Sequence, residues 1–177
     1  MKEVKRFPAP SGELGWFLTA NNKNHSFASP DDIAKDYDYV IVGGGFAGIT
    51  AASRLAENRP GASIAVFDAV QIGMGDSGRN AGFMIDVPHV TVGDPKSNVD
   101  HHKWRLRLNN IVIDRLRSIK NEHNLQCDWR ESGKYLAARE QRCLPALDNL
   151  ARFLETIGGE SKMLSHEETA AALGTSY

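Results

Sequence analysis

An α/β fold is what this sequence predicts, on three observations made along one stretch. The apolar run Tyr39-Val40-Ile41-Val42 is followed by Gly43-Gly44-Gly45-Phe46-Ala47-Gly48, which opens a helical segment, Ile49 to Leu55. A second apolar run, Ser63 to Phe67, then closes on the carboxylate of Asp68. Strand, glycine turn, helix and strand make a βαβ unit, and the acid twenty residues beyond Gly48 makes that unit Rossmann-like, a dinucleotide-binding design.

Residues 1 to about 36 form an N-terminal arm ahead of the unit. Pro8, Pro10, Gly12, Asn21, Asn22, Asn24, Ser29 and Pro30 favour irregular extended chain over helix. Trp16 and Phe17 are the apolar exception, expected to pin the arm onto the domain surface, with a partner contact as the second reading.

In the βαβ unit, about 37 to 68, Gly43 permits the tight turn out of the first strand because it has no Cβ to clash. Gly45 leaves room for a pyrophosphate, and Gly48 lets the helix lie close to the sheet. The unpaired N–H groups and positive dipole end of the helix then face the diphosphate. Asp68 can accept hydrogen bonds from both ribose hydroxyls of an adenosine and would repel a 2′-phosphate. No basic residue follows it closely, so NADP is disfavoured. A bare glycine triplet also fits a turn that binds nothing; the flanking strands, the helix and the acid favour the dinucleotide.

Gln71 to Phe83 holds too many glycines for a regular element. Its glycines beside Ser77, Arg79 and Asn80 give a backbone able to approach a ligand while presenting donors, or else a flexible surface connection. From Trp104, apolar residues recur at Leu108, Ile111, Val112, Leu116 and Ile119, a helical stripe. The basic residues of that helix interleave with Asp114 and Glu122, which makes them a solvated face rather than a phosphate track. His101 and His102 are read as solvent-facing. Cys127-Asp128-Trp129-Arg130 and Lys134 to Ala138 flank Glu131-Ser132-Gly133, the pattern of a hairpin. Leu147, Leu150, Leu154 and Ile157 mark an amphipathic helix stopping at Gly158-Gly159, and Ser165-x-x-Glu168 is a capping box that opens a last short helix capped by Gly174.

Composition narrows the function classes. In 177 residues, 21 Lys and Arg balance 22 Asp and Glu, and 41% are hydrophobic, enough for one core and without the basic excess of a nucleic-acid binder. No stretch approaches the roughly 20 apolar residues of a transmembrane segment, and residues 1 to 36 lack a secretory apolar centre, so the expected compartment is cytoplasmic. Cys127 and Cys143 form no Cys-x-x-Cys pair and read as reduced, buried thiols; no metal site is expected.

Asp68-Ala69 through Ile72-Gly73, and then Gly75-Asp76-Ser77-Gly78-Arg79-Asn80-Ala81-Gly82-Phe83, resemble the flavin-contacting segment of the D-amino acid oxidase-like superfamily of FAD-dependent oxidoreductases. The resemblance is to the branch that holds glycine and sarcosine oxidases and gamma-glutamylputrescine oxidoreductase. It covers essentially residues 10 to 177, including the Trp-containing arm and the run from Asp128 to Ala138.

What the resemblance implies is FAD, with Gly43, Gly45, Phe46, Ala47 and Gly48 at its pyrophosphate and Asp68 with Ala69 at the adenosine ribose. Gly75, Ser77, Gly78, Arg79, Asn80, Ala81 and Gly82 would lie along the pyrophosphate, the ribityl chain and the ring edge. The loop carries no His, so the implied FAD is non-covalent. A small amine or amino acid would be oxidised at its C–N bond by hydride transfer to flavin N5, giving an imine that hydrolyses. Arg79 would stabilise the charge of reduced flavin, or else brace the loop; no general base is implied. Residues 37–177 would form the FAD-binding domain, with the start of a substrate-domain antiparallel sheet inserted over about 127–175. Superfamily members run to roughly twice this length, so a second polypeptide is expected to complete the flavin and substrate domains and cover apolar surface otherwise left in water. An NAD-dependent dehydrogenase and a non-catalytic FAD-binding or interaction subunit are the alternatives.

Overall fold

A computed structural model describes residues 12–20, 28–87 and 98–175. The chain divides into two compact units, Met1–Phe83 and Met84–Tyr177, each with its own packing.

In the first unit, β1 (Tyr39–Val42) and β2 (Ile64–Phe67) pair in parallel, Tyr39 opposite Ile64 and Val42 opposite Phe67, with α2 (Phe46–Asn58) between them in sequence. Their β-branched residues suit a pleated, packed surface, and a parallel pair needs a crossover element of this kind. Bonds at both ends fix the register: Tyr39 N–H donates to Ser63 O at 3.1 Å, and Gly43 N–H to Phe67 O at 2.7 Å. Just ahead of β1, the Asp38 carboxylate accepts the Ser63 N–H and hydroxyl, each at 2.8 Å. Those bonds, the backbone one first, hold Asp38 below the ordinary carboxylate pKa. One face of β1 stays open, with Val40 and Val42 exposed.

A short helix of the arm, α1 (Gly15–Thr19), belongs to the same unit. Trp16 Nε1–H donates to Asn80 O at 2.9 Å, so the arm docks on its own domain, as the apolar pair Trp16 and Phe17 leads one to expect. Pro8 and Pro10 lie outside the described residues, as do Asn21, Asn22 and Asn24.

The second unit is helical. α3 (Val99–Glu122), α4 (Leu144–Ile157) and α5 (His166–Leu173) follow one another, and the core is Leu106, Phe153, Leu154 and Ile157 with Val87, Val99 and Leu150 packed against it. The helix stops are those the sequence announces. Gly158 closes α4 in the left-handed region at φ +88, with Gly159 N–H bonded to Leu154 O at 2.8 Å. Ser165 Oγ accepts the Glu168 N–H while the Glu168 carboxylate accepts the Ser165 N–H, and Gly174 ends α5 at φ +66.

The helical stripe from Trp104 to Ile119 lies on α3 as expected, with Trp104, Leu108, Ile111, Val112 and Leu116 exposed and the buried side running through Val99, His102 and Leu106. Three expectations need correction. The first is His102, which lies one turn before Leu106 and meets Phe153 edge-on at 5.2 Å rather than facing solvent. Its Nδ1 is buried without a hydrogen-bond partner, whereas His101 is exposed.

The hairpin is the second. Residues 127–138 form no strand, so the antiparallel sheet is absent among the described residues. An isolated two-stranded hairpin is marginal in water, and here side chains anchor the segment to α3 instead. Arg117 pairs with Glu131 at 2.7 Å and with Asp114, its guanidinium lies 5.9 Å from the Trp129 ring, and Trp129 Nε1–H donates to Glu131 at 2.9 Å. Last, Cys127 and Cys143 are free thiols as expected but exposed rather than buried. Among the described residues no helix is long and apolar enough to cross a membrane, and no His, Cys, Asp and Glu group could hold a metal ion.

Candidate functional site

The glycine turn after β1 is shaped by close backbone contact. Gly43 stands at φ +105, a conformation that costs any other residue. A Cβ on Gly48 would fall 1.8 Å from the Gly43 carbonyl oxygen and 3.3 Å from Ile41 Cγ2, so α2 reaches the strand only because position 48 has no side chain. Gly45 is the N-cap, and the first-turn N–H groups of Phe46, Ala47 and Gly48 lack intrahelical partners.

The chain supplies its own partners for part of this turn. Asp68, at the end of β2, turns its carboxylate inward: Oδ2 accepts the Gly44 N–H at 2.6 Å and Oδ1 the Val70 N–H at 3.0 Å. The Val70 bond, then the Gly44 bond, hold Asp68 below the usual carboxylate range and keep it ionised beside the helix start. Ser77 comes from the second glycine loop, and its Oγ accepts the Phe46 N–H at 3.1 Å. A Cβ on Gly45 would meet that same oxygen at 2.8 Å.

The second loop repeats the first turn. Gly73-Met74-Gly75-Asp76-Ser77-Gly78 has the G-x-G-x-x-G spacing of Gly43 to Gly48. Gly73 stands at φ +83, and a Cβ on Gly78 would fall 1.8 Å from the Gly73 carbonyl oxygen, the same steric relation as in the first turn. Gly75 caps a 3-10 turn, Asp76–Arg79, at φ −75 and ψ −164, much as Gly45 caps α2 at φ −80 and ψ −172.

Asn80 holds the rest of that loop. Its amide donates to Ser77 O at 2.6 Å, its Oδ1 accepts the Gly82 N–H at 2.7 Å, and its carbonyl receives the Trp16 indole. Arg79 Nε–H donates to Met74 O at 3.3 Å, a loop-bracing arrangement. Asp68, Ser77, Phe46 and the two glycine turns therefore meet in one place, while Ala69, Arg79, Ala81 and Gly82 lie beside it on the same connection. Gly73 and Trp16 are the participants that motif reading passed over. The repeated glycine spacing was a visible signal for the first; nothing local marks the second as a partner of Asn80.

The DAO family, described as FAD dependent oxidoreductase, matches residues 38–176. Gamma-glutamylputrescine oxidoreductase of Escherichia coli (strain K12) is similar, 27% identical over 108 residues that make up 59% of this chain and 25% of that protein. The match thus spans a quarter of the relative's length. No solved structure matches the chain significantly. With the family match running from the residue before β1 into the last residues of the chain, the protein belongs to the DAO family of FAD-dependent oxidoreductases, and FAD is its cofactor.

Proposed function

We propose that this chain is the FAD-binding portion of an oxidoreductase that acts on the C–N bond of an amine or amino acid. The observation that carries it is the meeting of the two glycine turns at the start of α2, with Asp68 and Ser77 between them.

The residues suit FAD. Position 48 has no room for a side chain and the φ of Gly43 disfavours one, and the Ala47 and Gly48 N–H groups point the positive end of α2 toward an anion. Those groups with Phe46 and Gly45 are assigned to the pyrophosphate. Asp68 is assigned to the ribose: an ionised carboxylate has about four acceptor sites, so the Gly44 and Val70 bonds leave capacity for two hydroxyls. The Ser77 hydroxyl accepts from Phe46 and keeps its own hydrogen to donate to a phosphate oxygen. Gly75, Gly78, Asn80, Ala81 and Gly82 would shape the path of the ribityl chain, and Ala69 would border the ribose. Arg79 commits Nε to Met74, leaving its terminal nitrogens to place positive charge near bound anionic groups.

When bound, FAD supplies the two-electron oxidation, after which the oxidised amine hydrolyses. The protein's part is position, charge and exclusion of water, and no general base is assigned. The relative's name, gamma-glutamylputrescine oxidoreductase, supports an amine substrate. Non-covalent attachment is supported by the loop Gln71 to Phe83, which has no His to tether a flavin. Completion by a second polypeptide is supported by the open face of β1 and by exposed Phe46 and Phe83.

Purified protein that is yellow, releases FAD on denaturation and bleaches under anaerobic amine or amino acid would bear this out. Failure of the folded chain to take up FAD, alone or with a completing polypeptide, would refute it. FAD uptake without bleaching by any amine would leave a binding subunit rather than an enzyme.

A further inference from the structure

We infer that Trp16 is a positioning residue for the flavin site: the arm clasps the second glycine loop and sets where that loop lies over the start of α2. This rests on the FAD reading above.

Three arm residues meet three glycines of one loop. A Cβ on Gly78 would come 3.1 Å from Leu14 Cδ2, one on Gly82 3.1 Å from Trp16 Cη2 and Cζ2, and one on Gly73 3.6 Å from Phe17 Cζ. The arm's side chains thus lie where the loop has none. Leu14 is 7% exposed, the most buried apolar residue described in its unit. Among the described residues the polar tie is the indole N–H on Asn80 O, and Asn80 is the residue whose amide already bonds Ser77 O and Gly82 N–H.

The loop's other side meets the first turn, through Ser77 Oγ on the Phe46 N–H. Arm, loop and α2 start are therefore stacked in that order. α1 is only five residues long and has no stability of its own, so its helix exists because it is docked. A loop with Gly73, Gly75, Gly78 and Gly82 has unusual backbone freedom, and a ligand must supply the cost of ordering it unless the protein has done so beforehand. The clasp does this through its contacts with the loop.

The test compares wild type, Trp16→Phe and Trp16→Ala as full 177-residue chains. Amide exchange of residues 73–82 is measured without ligand, and FAD affinity and the shape of the bound flavin's visible bands are measured by titration. Trp16→Phe keeps a ring over Gly82 and loses one hydrogen bond, so FAD should bind about threefold to tenfold more weakly. Trp16→Ala should lose about tenfold or more, with faster loop exchange and altered flavin bands. An Ala variant that binds FAD as wild type does, with unchanged bands, overturns the inference. So does unchanged loop exchange, whatever the ligand does. A wild-type chain that takes up FAD neither alone nor with a completing polypeptide defeats the functional reading and with it the flavin role of Trp16, while exchange still decides whether the clasp orders the loop.

Discussion

Gly48→Ala places one methyl group against a backbone oxygen that has nowhere to go. Ordinary contact for a Cβ begins near 3.4 Å, and this one would sit at 1.8 Å from Gly43 O, short by 1.6 Å. Neither partner is the flexible end of a side chain, so α2 must withdraw from β1. Overpacking of this severity costs about 3–4 kcal/mol, and the better helix propensity of Ala returns about 1 kcal/mol, leaving a net loss of about 2–3 kcal/mol. Gly78→Ala repeats the clash against Gly73 O, also at 1.8 Å, and should behave alike. Gly75→Ala is the control, because its φ is −75 and nothing lies within 4 Å of a Cβ there; its change should stay within about 0.5 kcal/mol. Urea unfolding read by amide exchange of peptides covering residues 39–67 reports this unit alone. Gly48→Ala as stable as Gly75→Ala would show that helix and strand are not held together by that glycine.

Further consequences concern charge and capping. Asp38 and Asp68 both titrate below their unfolded value of 3.8. A depressed folded pKa gives stability that is fully present above the unfolded value and is lost as pH falls through the folded one, so acid unfolding of the first unit should steepen below about pH 4. Asp38→Asn should flatten that slope in a pH titration followed by circular dichroism. Asp68→Asn should weaken FAD binding by about tenfold in a direct titration, the scale of one charge-assisted hydrogen bond. Ser165→Ala removes the oxygen that accepts the Glu168 N–H and should destabilise α5 by about 1 kcal/mol, seen as faster amide exchange in residues 166–173. Arg117→Ala should release the segment around Trp129, read as a red shift in its fluorescence, with Arg117→Lys recovering little because a lysine lacks the forked donor set.

Features whose partners are close in sequence were legible. Gly158 ends α4 because a left-handed residue is needed there, and Ser165 finds Glu168 three residues on; both readings need only local chemistry. The βαβ unit was legible for a related reason, since the order of strand, turn, helix and strand leaves one economical pairing. What failed depends on distant or competing partners. The run from Cys127 to Ala138 has strand composition, but strand pairing needs a neighbouring sheet, and the Glu131 carboxylate finds Arg117 instead. The helix marked by Trp104 to Ile119 did form as α3, whereas the solvent-facing reading of His102 failed because α4 packs on the face through Leu106. In the site, glycine and acid positions were visible, but that Ser77 would reach the Phe46 N–H, or Trp16 the Asn80 carbonyl, follows only from how the loops stack.

The glycines of the first turn bear on how any ligand at this site should be studied. Gly43 is required by its φ of +105, and Gly48 by the Gly43 carbonyl. A Cβ on Gly44 would press Ile72 Cγ1 at 2.7 Å and one on Gly45 the Ser77 hydroxyl at 2.8 Å, so either would displace a neighbouring side chain. The protein's own backbone conformation and contacts thus bear on every one of these glycines before any phosphate is considered. A Gly→Ala variant that loses FAD would therefore report a displaced helix or loop as readily as a blocked ligand. Only changes that remove a charge or a polar atom and add no bulk, such as Asp68→Asn or Ser77→Ala, separate the two. If these weaken FAD while exchange in residues 39–67 stays as in wild type, the ligand touches those atoms; if exchange rises in step with lost affinity, the atoms act through the fold.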